Sequence, residues 1–458
     1  MAEQALRIFL IVLFLFILAL PFLLHPHSPV KATGARRPPS GPARKLVIIT
    51  PHWEGIRHEF SRAFSAWSER QLGYATDIEW LALGGTSDAV RYVRSEFKRA
   101  PEGINVDIFF GGGLDPFLQL KKEGLLQPCR ISRSVLGRIP PTLTGIELYD
   151  PDHQWFGACL SGFGIIYNKR VLQLLKLPEP REWAGLATPR YFSWVGSGDP
   201  RSSGSVHMAY EIILQAYGWE RGWSIILRMA GNIRNFSRAA SDVPKDTALG
   251  EIACGLAIDV YAWSQIAEVG SDRIGFLLPE GLTVINPDSI AVLKGAPHPD
   301  LAEKFLEFTL SEAGQKLFVL HKGAPDGPQQ YELGRMPIIP GLAAKLGKEA
   351  AVPLDPFRWK GGFTYNAAKG ALRWNLLNDL IGAVIIDNHQ ELMMAWDKVR
   401  NSDMRGGLAR ELTAPPLLEA EAMRLAAGDW QRPERRSSIR AQWSAAAKSR
   451  YQRIRERI

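Results

Sequence analysis

The sequence predicts an α/β fold with mixed sheets, helices on both faces of the sheets, and extra helices toward the C-terminal end. Three observations predict it. Strands and helices alternate as β-α-β-α-β between Lys45 and Phe110; a second α/β alternation runs from Phe163 to Leu293; and after Pro353 the apolar pattern becomes helical.

The first series begins with KLVIIT (45–50), a short apolar run of the kind that forms a buried strand. The following EGIRHEFSRAFSAWSERQ places Ile56, Phe60, Ala63, Phe64 and Trp67 on one helical face. TDIEWLAL, from Thr76, is the second strand. Gly84 and Gly85 end it, and Thr86 or Ser87 is suited to cap the helix SDAVRYVRSEFKRA. VDIFF (106–110) is the third strand, stopped by Gly111, Gly112 and Gly113. This order implies a parallel sheet, so Thr50 with His52, Gly84 to Ser87, and Gly111 to Gly113 all fall at one edge. Ligands of open α/β sheets bind at that edge. Any one of these loops reads equally as a turn or cap; it is their convergence that argues for a ligand.

In the second series FGIIYN (163–168) and Tyr191 to Val195 read as strands. Asp199-Pro200 marks a turn, and Ser202, Ser203 and Gly204 open a helix that buries Ile212, Ile213 and Ala216. The first turn of a helix leaves N–H groups unpaired, and its macrodipole adds roughly half a positive charge there. Small side chains let an anion approach. The bland reading of SSGS is an ordinary cap. GLAIDV (255–260) is a further strand, followed by a helix from Tyr261 to Glu268. Gly275 to Pro279 and Ser289 to Leu293 are further strands. A helix then starts at Pro299-Asp300, with Leu301, Phe305 and Phe308 on one face. ALRWNLLNDLIGAVIIDNHQELMMAWDKVR reads as a helical segment long enough to cover a lobe.

Length and charge bound the function. A chain of 458 residues is sized for two or three domains, and 46% hydrophobic with 22% charged residues is ordinary globular composition. The net charge of +8 is concentrated at the two ends, with Lys31, Arg36, Arg37, Arg44 and Lys45 near the start and arginines after Trp430; nucleic acid is therefore not an expected partner. The uncharged run from Ile8 to Leu24 reads as an export signal that can remain as a membrane anchor, followed by a linker from Val30 to Arg44. The positive-inside rule points the other way, because more positive charge follows the run than precedes it. Cys129, Cys159 and Cys254 form no CxxC pair and no zinc-spaced cluster; in an exported body one disulfide and one free thiol can form. No phosphate-binding lysine loop, nucleophile–base motif or cofactor fingerprint is present, so neither catalytic residues nor cofactors are expected.

VIITPHWEGIRHEFSRAF, DIFFGGGLDPFLQLKKEGLLQP, DPRSSGS, GLAIDVYAW, AVLKGAPHPDLAEKFLEFTLSEAGQKLF and RMPIIP, in that order, resemble the substrate-binding proteins of ABC importers, in the ferric-binding-protein-like branch. The resemblance spans roughly residues 45–340. It implies a two-lobed periplasmic-binding-protein-like fold with a hinge, a ligand in the cleft and delivery to a membrane permease. The corresponding division is 1–44 signal or anchor, 45–160 and 286–345 the first lobe, 161–285 the second lobe, 346–430 a helical segment and 431–458 a basic tail. A periplasmic monomer is expected. Iron-binding members place a histidine after the first strand, a glutamate after the third and two adjacent tyrosines near the hinge. Here the resemblance retains His52 and Tyr261, but the glutamate position falls among glycines and the second tyrosine is Ala262. The expected ligand is therefore a small anionic solute, an organophosphate such as a sugar phosphate or a carboxylate; the alternatives are a ferric-iron-binding protein of the same importer type, and a membrane-tethered ligand-sensing subunit for a receptor or kinase. The expected contacts are Ser203, Gly204 and Ser205 at the helix start; Thr50, His52, Gly85, Thr86, Ser87 and Gly112 opposite; and Asp259 and Tyr261 near the hinge. His207 is expected to cap its helix or face solvent, and Asp115 to cap a helix before Pro116.

Overall fold

The three strands of the first series form β1 (Arg44–Ile49), β2 (Thr76–Leu81) and β3 (Ile108–Phe110). Both neighbours of β1 run parallel to it, β2 on one side and β3 on the other. Helices α1 (Glu54–Leu72), α2 (Thr86–Arg99) and α3 (Asp115–Lys122) follow their respective strands. The computed structural model describes residues 43–402, 406–428, 430 and 432–457. The apolar run from Ile8 to Leu24 and the expected linker as far as Pro42 therefore lie outside the described residues, while Arg44, expected to end that linker, opens β1. Among the described residues no helix is long and apolar enough to cross a membrane.

The chain continues through β4 (Phe156–Asn168), β5 (Val195–Gly198), α4 (Gly204–Tyr217), α5 (Trp219–Asn232), β6 (Ile233–Ser237), α6 (Asp242–Leu249), β7 (Cys254–Ile258), α7 (Asp259–Val269), β8 (Ile274–Leu277) and β9 (Ile285–Leu293). The sheet path is β2-β1-β3-β9-β4-β7-β5-β6, with β8 also on β4. Strand β4 joins the two halves. Its first part pairs antiparallel with β9, from Phe156↔Ile290 to Gly162↔Ile285, and its second part pairs with β7 and β8 from Phe163 onward. The sheet is mixed, as expected, because the return strand β9 lies antiparallel between β3 and β4.

Beyond β9 come α8 (Pro299–Leu310) and α9 (Glu312–Val319), then α10 (Ala367–Ile381), α11 (His389–Arg400) and α12 (Pro433–Glu456). Phe60 and Phe64 of α1 pack against Phe305 and Phe308 of α8, with Phe110 and Phe318 closing the cluster. The predicted face of α1 is thus the core of the first sheet half. The C-terminal helices do more than cover one lobe. Tyr365 donates its hydroxyl to Asp115 on α3 (2.7 Å), while Arg373 on α10 makes a forked ion pair with Glu211 on α4 (2.8 Å), both groups fully buried.

Several local expectations are corrected. Gly85 rather than Thr86 or Ser87 caps α2, because Asp88 reaches back to the Gly85 N–H (3.1 Å). Asp115 lies inside α3 with Leu114 at the cap position, and its carboxylate turns to Tyr365. His207 neither caps nor meets solvent: it is buried beneath Trp374, its Nδ1 2.7 Å from Asn378 Oδ1, and burial lowers its pKa to about 4. Ser311 caps a new helix and so divides the predicted 299–318 helix into α8 and α9. A π turn at Gly382–Ile386 interrupts the long C-terminal helix. All three cysteines are buried free thiols, so no disulfide forms among them.

Candidate functional site

A cavity of about 350 Å³ lies where the loops after β1, β2 and β3 face the start of α4. Of the expected contacts, His52, Gly85, Thr86, Gly112, Ser203, Gly204, Ser205 and Tyr261 line it. Thr50, Ser87 and Asp259 do not.

Thr50 acts one step back. Its hydroxyl donates to the Phe110 carbonyl (2.7 Å) and accepts the His52 N–H (3.0 Å), tying the end of β1 to the end of β3. Gly111, Gly112 and Gly113 all have positive φ (96°, 109° and 84°), a run that only glycine adopts without strain. This aims successive N–H groups inward as an anion nest. The nest is already filled by the protein itself: Asp288 Oδ1 accepts from Gly112 (2.7 Å) and Gly113 (3.0 Å). The other oxygen of Asp288 meets His52 Nε2 (2.9 Å) and Arg335 Nη1 (2.9 Å). Burial works to raise the Asp288 carboxyl, but His52, Arg335 and the glycine N–H groups outweigh it and hold the pKa well below the usual carboxylate range. Burial also lowers the pKa of His52, against the pull of Asp288.

Across the cavity, Ser203 caps α4, its Oγ accepting the Val206 N–H (3.4 Å) and lying 3.2 Å from Ser205 Oγ. The two sides approach closely. A Cβ on Gly85 would fall 1.8 Å from the Ser202 carbonyl oxygen, and one on Gly204 would fall 2.7 Å from Thr86 Oγ1. These glycines permit the contact between the two sheet halves. Arg238, exposed at the rim, and Trp374 from α10 also line the cavity, as do the acidic Asp88 and Asp115.

Sequence reasoning missed Asp288, Arg335, Arg238 and Trp374. One signal was available: Asp288 interrupts the apolar run INPDSIAVL of β9, and a carboxylate in a fully buried strand requires a partner. Arg335 is seated because the segment after it pairs with β4, where the Leu160 N–H donates to the Met336 carbonyl (2.8 Å). Among the described residues no cluster of three or more His, Cys, Asp or Glu has metal-binding geometry.

Asp259 sits where β4 passes from β9 to β7, accepting the Gly162 N–H (2.8 Å) and its neighbour Val260 N–H (2.7 Å). Burial pushes its carboxyl up to about 7 in spite of those bonds. A raised carboxyl binds more protons in the folded than in the unfolded state between about pH 4 and 7, so its contribution to stability falls as pH rises through that window and is level above it. Asp259→Asn is expected to flatten that part of the stability–pH curve in urea titrations; an unchanged slope would show that Asp259 is ionised throughout.

A family profile described as bacterial extracellular solute-binding protein matches residues 105–340. Over 158 residues the chain is 30% identical to the phosphoglycerate transport regulatory protein PgtC of Salmonella typhimurium, covering 34% of this chain and 39% of that protein. The chain thus spans about two fifths of the length of that curated relative. Among solved structures, the periplasmic binding protein AfuA from Actinobacillus pleuropneumoniae, with exogenous fructose-6-phosphate bound, superimposes with a TM-score of 0.60 at 18% identity, over 75% of this chain and 98% of that one. Iron-bound HitA from Pseudomonas aeruginosa gives 0.56 at 19% identity, over 74% and 99%. At these identities the two structures establish the shared periplasmic-binding-protein fold.

Proposed function

The chain belongs to the bacterial extracellular solute-binding protein family, and we propose that it captures a small anionic solute, an organophosphate such as a sugar phosphate or a carboxylate, in the cavity between the sheet halves. It carries the solute, chemically unchanged, outside the cytoplasm to an ABC permease. The observation that carries this reading is the start of α4: Ser203, Gly204 and Ser205 open directly on the cavity. A helix N-terminus with small hydroxyl side chains favours negative charge. Arg238 at the rim, and Arg335 behind Asp288, add positive potential. The sugar phosphate bound to AfuA supports the class of solute.

Ferric iron is the weaker reading. Iron wants several oxygen ligands, whereas here His52 Nε2 is engaged by Asp288 and Tyr261 is the single tyrosine in the lining. A sensing role, in which the liganded protein signals to a membrane receptor, draws on the transport regulatory relative.

A thermal-shift screen against sugar phosphates, organic acids, phosphate and ferric salts tests the class, because a ligand of the folded state raises the melting temperature. Stabilisation by ferric salts alone, with a tyrosinate–iron colour, would overturn it. Ser203→Asp is expected to weaken binding of the stabilising anion about a hundredfold or more, since like charges in a shielded site cost several kcal/mol. Aspartate is itself a good N-cap, so the fold should persist. Unchanged affinity would put the anion elsewhere.

A further inference from the structure

Between α2, Arg201 and the C-terminal helices lies a second cavity of about 760 Å³, separate in its lining from the first. Its wall carries six cationic side chains, Arg91, Arg94, Lys98, Arg201, Arg436 and Arg440, and one carboxylate, Asp379. Three of these cations hold acidic partners that do not line the cavity. Arg91 pairs with Asp88, Arg94 with Glu123 (2.8 Å), and Arg201 with Asp199 (2.7 Å) and Asp387 (2.8 Å). None of those four acids lines the cavity. Asp379 is shared by Arg436 and Arg440, and among the described residues Lys98 has no acidic partner. Guanidinium groups held in place by one carboxylate still present further N–H donors, since each carries five.

A second observation points the same way. Ser87 is 8% exposed, lines this cavity, and its hydroxyl has no hydrogen-bond partner. The Nε of Arg440 lies 3.5 Å from Asp379 Oδ1, an ion-pair contact that does not form a hydrogen bond. Buried polar groups are normally satisfied, so the unpartnered Ser87 hydroxyl in a basic cavity marks a place for an acceptor-rich ligand.

We propose that this cavity is a second binding site, taking a soluble anion that bears two or more phosphoryl groups. Ser87, Lys98, Arg91 and Arg440 contact it from both sides. The spread of the cations around the wall suits several phosphoryl groups better than one, and arginine matches phosphate oxygens with paired donors. The site also couples to the first. Thr86 and Ser202 line the solute cavity, while their neighbours Ser87 and Arg201 line this one. An anion that bridges α2 to Arg201 and α12 draws together the two sides that close on the solute, so each ligand tightens the other.

The test is calorimetry on the full chain with tripolyphosphate as probe, at low and moderate salt. Wild-type protein is expected to bind it with a marked salt dependence. Lys98→Glu/Arg440→Glu is expected to weaken it at least about tenfold, and Ser203→Asp to leave it within about twofold. Melting temperatures without ligand show whether the double variant is folded; Ser87→Ala, a smaller change, should also weaken binding measurably. If Ser203→Asp abolishes tripolyphosphate binding and the double variant does not, the probe sits in the solute cavity and the second site is overturned. That outcome would leave the proposed solute binding standing. Binding to phosphatidylglycerol vesicles that needs Lys98 and Arg440, with no heat from tripolyphosphate, would replace the soluble ligand by a lipid headgroup and overturn the proposal as stated.

Discussion

Replacing Asp288 by alanine is expected to destabilise the protein by about 3–5 kcal/mol, the usual cost of removing one partner of a buried ion pair. Arg335 is 5% exposed and would keep its charge without a counter-ion. Two glycine N–H groups and His52 would lose their acceptor at the same time. Asp288→Asn should fall between, since an amide oxygen still accepts one N–H but offers no negative charge to Arg335. Urea midpoints with an unchanged slope measure the loss. A cost below about 1 kcal/mol, the size of one neutral hydrogen bond, would mean that Asp288 does not hold the three segments together. The same carboxylate predicts the acid limb. Its pKa is depressed in the fold, so its stabilisation is present above the ordinary aspartate pKa and is lost as pH falls toward the depressed value.

The second large effect concerns closure. Gly85→Ala would place a methyl group 1.8 Å from the Ser202 carbonyl oxygen, and no side-chain rotation relieves a clash with backbone. Gly85 is in extended conformation, which alanine also adopts, so the variant should fold and each half of the sheet should persist. What fails is the approach of α2 to the start of α4. Apparent affinity falls by the fraction of molecules that can still close, and a cost of about 3 kcal/mol on closure corresponds to roughly a hundredfold. Solution scattering should show a larger radius of gyration than wild type, with solute affinity reduced accordingly. Wild-type scattering together with wild-type affinity would show that contact between Gly85 and Ser202 is not required for binding.

Much of the fold is legible locally. The face formed by Ile56, Phe60 and Phe64 and the strand runs KLVIIT and VDIFF have periods set by backbone geometry, and each reappears at its expected place. The loops at the strand ends converge for the same reason, since parallel pairing of β1 with β2 and β3 puts those ends on one edge. The side chains at that edge are less legible. Ser87 turns to the second cavity because it lies one residue farther along α2 than Thr86, and adjacent residues of a helix face different directions. Asp259 enters the first turn of α7 and accepts the Gly162 N–H of β4 instead of lining the cavity.

The sequence by itself determined the α/β alternation, the edge on which a ligand can sit, and the hydroxyl-rich start of α4, because each depends on neighbours within a few residues. Only the tertiary structure decided what fills the glycine nest after β3. That group is Asp288, 176 residues from Gly112, and it arrives because β9 returns beside β3 and aligns Ile290 with Phe110. Arg335, Tyr365 and Trp374 join the site or its border from still farther along the chain. Strand order and helix docking arise from burial of whole faces, which carries no local period, so partners such as Gly112 and Asp288 leave no mark on the sequence that separates them.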